Sequence, residues 1–272
     1  ADAVQQLERA VTRPEQGAKA WLLLGMAHDA ATGPHEAIAA YRRGVERLPK
    51  SPELHHELGM ALLEAGAPEE AERALAAAVD LSPNHAERLT DHAYALLVLG
   101  RYKPARAAAL RAIDLDPRSA DALYNLGDAE AALGEEKRAR DAYETALEQD
   151  PLHVPTLYHL GLLELGAGRP EEAARRFTEV LRIDKEHARA RVKLGVVLVS
   201  LGDDKRALPL LEQAVHTDPN FAQGHALLGD LAEKRGDWKE ALGRYRKVKA
   251  LVPKNPQVDA RLQELEQRAK GK

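Results

Sequence analysis

Along most of this chain apolar positions recur at alternating spacings of three and four residues, the period of a helix with one buried face. Trp21 and Leu24 with His28 one turn on, and Leu157 and Leu160 with Glu164, mark one such stripe. The stripe returns every 34 residues, and so does the punctuation around it. Gly25, Gly59, Gly127, Gly161, Gly195 and Gly229 stand on one ladder, with Ala93 on the remaining rung. A second ladder, seven residues along, carries Gly66, Gly100, Gly134, Gly168, Gly202 and Gly236, with Thr32 on its first rung. A third column is alanine throughout: Ala37, Ala71, Ala105, Ala139, Ala173, Ala207 and Ala241. A fourth holds Pro49, Pro83, Pro117, Pro151, Pro219 and Pro253, broken only by Lys185. Self-similarity at this period predicts one small helical unit copied in tandem, each copy burying its apolar face on the next.

Each column has a physical meaning. The first glycine lies inside a first helix, where the missing side chain lets a neighbouring helix come close. The second ends that helix, where a left-handed residue is wanted. Proline or acidic residues just beyond, as in Pro68, Glu69 and Glu70 or Asp203 and Asp204, start a second helix. On it the alanine column stands four residues before a bulky one (Tyr41, Leu75, Tyr143, Phe177, Leu211, Tyr245), which predicts small-into-large packing. Proline then closes the unit. The third copy departs most, with His92 and Ala93 where leucine and glycine are usual and Ala109 in place of the bulky residue, and is expected to pack more loosely. Pro209 falls inside a second helix and is expected to kink it.

These residues resemble the tetratricopeptide repeat, whose pattern is W-x2-L-G-x2-Y, then alanine, an aromatic and proline. The run from Trp21 to Gly25 is a near-literal copy, and the runs from Tyr124 to Gly127 and from Tyr158 to Gly161 are close. The resemblance spans nearly the whole chain. It implies an all-α fold, a right-handed superhelical solenoid of helix-turn-helix repeats at 18–51, 52–85, 86–119, 120–153, 154–187, 188–221 and 222–255. Residues 1–17 read as an N-terminal helix, a cap or the remnant of an upstream repeat: Ala3, Leu7 and Ala10 fall in repeat columns and Pro14 one place before the proline column. Residues 256–272 read as a capping helix, apolar at Val258, Leu262 and Leu265, with Gln263 replacing the glycine and Glu264, Glu266, Gln267 and Arg268 polar. On this reading the C-terminus is natural and the N-terminus is not.

Composition narrows the function. The chain of 272 residues has 44% hydrophobic and 30% charged residues, so it is neither disordered nor membrane-embedded, and no stretch suffices for a membrane span. A net charge of −4 argues against nucleic acid as the partner. Cysteine is absent, which removes thiol nucleophiles, thiolate metal sites and disulfides. Cytoplasm is the favoured compartment, and the start at Ala1 rather than Met leaves the periplasm or envelope open.

No catalytic or cofactor motif is expected. The glycines are spaced to end helices, with no phosphate-binding pattern among them. His55 and His56, with His85 and His92 nearby, invite a metal reading, but adjacent helical residues point about 100° apart and cannot both face one ion. Acid pairs such as Glu69 with Glu70 and Glu171 with Glu172 sit in helix first turns, where the dipole favours them. The expectation is no enzyme, no metal and no cofactor.

What remains is surface. The resemblance implies that first helices line a concave wall through repeat columns 2, 5, 6, 9, 12 and 13. Those columns hold Glu53, His56 and Glu57, then Asp91 and Tyr94, then Tyr124, Asn125 and Asp128, then Tyr158, His159 and Leu162, then Arg189 and Lys193. The wall reads acidic early, aromatic in the middle and basic late. Tyr94, Tyr124 and Tyr158 offer large contact area with polar tips, Asn125 a backbone-binding amide, and Arg189 with Lys193 a carboxylate-binding pair. The expected partner is another protein or peptide with a basic and apolar segment. The clamp by which some members hold chaperone C-terminal tails is missing, because Leu22, Met26, Glu57, Glu87 and Asp91 occupy its places. The alternative is a self-associating or structural segment of a larger bacterial assembly in an envelope, pilus, secretion or motility machine.

Overall fold

The computed structural model describes residues 2–12 and 17–270. Every regular element among them is an α-helix. After α1 (Asp2–Val11) the helices follow as α2 (Ala18–Thr32) and α3 (Pro34–Arg47), α4 (Pro52–Glu64) and α5 (Pro68–Leu81), α6 (Ala86–Val98) and α7 (Tyr102–Leu115), α8 (Ala120–Ala132) and α9 (Glu136–Gln149). They continue as α10 (Val154–Gly166) and α11 (Pro170–Ile183), α12 (Ala188–Ser200) and α13 (Asp204–Thr217), α14 (Ala222–Lys234) and α15 (Trp238–Leu251), and end with α16 (Pro256–Lys270). Pro14 and residues 271–272 lie outside the described residues, and of Ala3 only the helical backbone is described. The chain divides into two compact units, Ala1–Pro151 with α1 to α9 and Leu152–Lys272 with α10 to α16. Within each, a first and second helix pack as a hairpin and hairpins stack in order, the all-α solenoid plan of tandem repeats.

The turns follow from their residues. The six glycines of the second ladder all have φ between 68 and 81°. At Gly66 the turn is a Schellman motif: Ala67 N donates to Leu62 O at 2.9 Å and Gly66 N to Leu63 O at 3.0 Å, which satisfies carbonyls the helix end leaves open. The first hairpin differs. Gly33, with φ 102°, turns the chain in place of Thr32, and α2 runs to 15 residues where α4, α6 and α8 have 13. Helix starts are capped by side chains where the sequence supplies one: Ser119 accepts from Ala122 N and Asp237 from Glu240 N. Helix α13 runs unbroken from Asp204 to Thr217 with Pro209 inside it, and the carbonyl of Lys205 loses its usual donor four residues on.

Packing inside a hairpin is a size exchange between two columns. A Cβ added at Gly161 would lie 2.7 Å from the Phe177 ring, and one at Gly59 2.5 Å from Leu75. The bulky side chain of the second helix occupies the space that the glycine of the first leaves open. The third hairpin was expected to be loose and is not. Ala93 and Ala109 are both fully buried and share a cluster with Ala105, Ala108, Leu96 and Ala129. A larger residue in the glycine column is matched by a smaller one in the bulky column, so the helices still meet.

Candidate functional site

The first helices place the charged and apolar side chains left over from this packing. In the first unit α2 packs on α4, α4 on α6 and α6 on α8, so equivalent columns of successive first helices are neighbours. Met26 is 58% exposed, Val98 50% and Tyr94 44%; Leu23 is also exposed and Met60 half-buried. Single exposed apolar side chains are ordinary on a folded surface, whereas several grouped on one face mark a contact surface. Beside them stand carboxylates. Asp29, Glu57 and Glu64 converge on the Tyr41 hydroxyl, whose pKa is pushed up to about 12 by burial first and then by these charges. This face is apolar with an acidic margin.

Several residues of the expected wall turn inward to the fold. His56 Nε2 lies 2.6 Å from Asp91 Oδ2, and its Nδ1 3.6 Å from Glu57 Oε1. The hydrogen bond to Asp91, reinforced by Glu57 and opposed by burial, raises the imidazole pKa to about 9. His56 is thus an imidazolium tying α4 to α6. Glu53 accepts from Arg88 Nη2 at 3.1 Å and from Ser51 Oγ at 2.9 Å. Asn125 is only 3% exposed, and its Nδ2 donates to Thr90 O at 3.0 Å, so the amide expected to read a ligand backbone joins α8 to α6 instead. Asp128 accepts from the Tyr143 hydroxyl at 2.5 Å. Tyr124 is half-buried with its ring centroid 6.3 Å from that of Tyr143, and burial and then Asp128 raise its hydroxyl pKa. Tyr94 is the member of the expected ladder left open to solvent.

A stability test follows from the His56 geometry. The folded pKa lies above the ordinary 6.5, so the pair stabilises the fold fully below pH 6.5 and loses that contribution as pH rises through about 9. Urea unfolding should lose about 3 kcal/mol between pH 6.5 and pH 10, an interval that His56→Gln should flatten.

In the second unit Tyr158 is 9% exposed, its ring 5.7 Å from Phe177 and 5.1 Å from His187, the residue that opens α12. His159, 5.7 Å away on the same helix, and Leu162 are half-buried. Arg189 and Lys193 lie one turn apart on α12. Neither makes a hydrogen bond or ion pair among the described residues. They stand at a cavity of about 390 Å³ walled by Tyr158, Ala188, Val192, Ala214 and Phe221. Arg191, on the same turn, is different: it is buried and donates to Lys185 O and to Glu186. The first turn of α12 holds no acidic residue, so cations sit where the helix dipole opposes them.

Sequence reasoning missed part of this. Leu23, Met26 and Val98 fall in wall columns 6, 9 and 13, and a uniform reading of all the wall columns finds them. Phe221 precedes α14 outside the repeat's apolar pattern; its signal is Gly224, whose absent Cβ would lie 2.3 Å from the Phe221 ring. Among the described residues no three histidine or acidic groups are placed to hold a metal ion, and no helix is long and apolar enough to cross a membrane.

Comparison with known proteins agrees with this architecture. Family models described as tetratricopeptide repeat match residues 28–86 and 90–153, 164–231, and 225–259. No curated protein matches the chain in sequence. Solved structures that resemble it include pilF of Pseudomonas aeruginosa, 21% identical over 78% of this chain and 97% of that one, with a TM-score of 0.69. MamA is 28% identical over 61% of this chain and 97% of its own, with a TM-score of 0.53. YrrB, described as a TPR protein with an unusual peptide-binding site, is 21% identical over 69% of this chain and 96% of its own, with a TM-score of 0.61.

Proposed function

The chain belongs to the tetratricopeptide repeat family, and on that premise we propose that it is a non-catalytic scaffold that holds a segment of a partner protein on the face of its first helices. The observation that carries this is the first unit's exposed apolar set on first helices, Leu23, Met26, Tyr94 and Val98, with Met26 and Tyr94 in one repeat column, together with the carboxylates Asp29, Glu57 and Glu64 of α2 and α4. Apolar side chains kept in water inside a carboxylate margin suit a segment with apolar anchors and flanking lysine or arginine. Met26 adapts its shape to a range of side chains, and Tyr94 brings contact area with a hydrogen-bonding tip. The groups the fold uses internally, the His56–Asp91 pair and Asn125, hold those helices in register and position the face.

The test is a capped amphipathic peptide carrying lysines and leucines, titrated against the full chain by fluorescence anisotropy. Met26→Ser with Tyr94→Ser should weaken binding at least tenfold and leave the melting temperature unchanged, because both side chains are exposed. Unchanged affinity would remove the first-unit face from the reading. Light scattering on the same samples separates partner binding from self-association, which would appear as a mass that grows with concentration and falls in the double variant.

A further inference from the structure

The second unit carries a feature of opposite sign, at the cavity between α10, α12, α13 and the turn that follows α13. Its walls are apolar: Tyr158, Val192, Ala214 and Phe221. Its charged groups are Arg189 and Lys193, one helical turn apart and without an internal partner, while Arg191 is already satisfied by Lys185 O and Glu186. The one carboxylate on its margin, Asp218, accepts from Asn220 N through Oδ1. Several other cations of this unit are paired: Lys234 holds Asp204, Arg235 holds Glu240 and Lys249 holds Asp259. The charge of Arg189 also reaches the Tyr158 hydroxyl in the cavity wall, where it opposes the rise that burial causes.

We infer that this cavity is a second binding site, one that takes an acidic segment of a polypeptide, with an apolar side chain seated in the cavity and the neighbouring carboxylates on Arg189 and Lys193. The inference rests on the preceding reading only in taking the ligand to be a polypeptide; the surface, the helices and the charge are different. The cavity volume of about 390 Å³ is ample for one large side chain. Two cations spaced as i and i+4 present donors to successive acidic groups or grip one between them. A bare anion leaves the apolar walls uncovered, and a neutral apolar chain leaves two cations desolvated without a partner. A ligand that combines both satisfies each.

The probe is a fluorescein-labelled peptide with phenylalanine flanked on each side by two glutamates, its C-terminus amidated so that only side-chain carboxylates are offered. Its counterparts replace the glutamates by lysines, or the phenylalanine by glycine. The full chain should bind the first peptide saturably. The glycine peptide should bind at least fivefold more weakly, and the lysine peptide should not bind at this site. Arg189→Ala with Lys193→Ala should weaken the glutamate peptide about tenfold, with an unchanged circular dichroism melt, since neither side chain is buried. Raising the salt from 50 to 300 mM should weaken it as well. The first-unit variant Met26→Ser with Tyr94→Ser should leave it untouched. Equal binding by the Arg189 and Lys193 variant, or no saturable binding up to millimolar concentration, overturns the proposal. Because the lysine and leucine peptide tests the first-unit face separately, each reading fails or survives by its own peptide.

Discussion

Gly127→Ala is expected to destabilise the first unit by about 2–3 kcal/mol, although alanine is the better helix former. The new Cβ would lie 2.4 Å from both Cδ1 and Cε1 of Tyr143 and 3.0 Å from Cζ. No real Cβ tolerates that distance, so ring or helix must move. The ring cannot swing aside cheaply, since it is buried and its hydroxyl is tied to Asp128 at 2.5 Å. Overpacking of a held core costs about 1–3 kcal/mol and more when relief is blocked, and the helix propensity gained returns about 1 kcal/mol. Urea unfolding followed by circular dichroism measures the difference, and hydrogen exchange should show the loss concentrated on α8 and α9, as nearest-neighbour coupling in repeat arrays requires. In a Tyr143→Ala background the penalty should vanish, because the clash has no second partner. The third hairpin supplies the converse: Ala109→Tyr should destabilise against Ala93, and adding Ala93→Gly should recover most of the loss. If Gly127→Ala proves neutral, the size exchange between columns is not what sets helix approach.

Phe177→Ala is expected to cost more, about 3–5 kcal/mol, the usual range for deleting a fully buried aromatic side chain. The Phe177 ring fills the space over Gly161 on one side and lies against Tyr158 on the other. Its removal therefore empties the hairpin core and takes away the backing of a residue that walls the Arg189 cavity. Two readouts should move together: the urea midpoint should fall, and the glutamate peptide should bind more weakly at temperatures where the variant is still folded. Phe177→Leu refills most of the volume and should lose about 1–2 kcal/mol while keeping most of the binding. A full loss of binding in the leucine variant with only a small loss of stability would mean that Tyr158 is placed by something other than this ring.

The candidate faces were legible only in part, and the reason is visible residue by residue. Helical columns place His56, Asp91, Asn125 and Asp128 on one side of the first helices, but a column does not reveal what a side chain touches there. Asn125 and Asp128 reach backbone or hydroxyl groups supplied by other helices, Thr90 O and Tyr143, and are taken up by the fold. Lys193 stands in the column of Asp91 and Asn125 and Arg189 in that of Glu53, yet both meet no acid and remain available. Tyr94, Tyr124 and Tyr158 look alike in sequence and differ in exposure because Tyr143 covers part of one ring, and Phe177 and His187 cover another.

Helix periodicity, glycine at the turns and the 34-residue recurrence are local or strictly repeated features, and for that reason the amino-acid sequence alone determined the helical class, the family and the size exchange inside the hairpins that keep the column glycine. Which polar groups pair and which stay open depends on the approach of helices far apart in the chain, a distance and an angle that no column encodes. Tertiary structure alone therefore decided that Ala93 and Ala109 compensate one another, that His56 is held as a cation by Asp91, and that Arg189 and Lys193 face an apolar cavity without a partner.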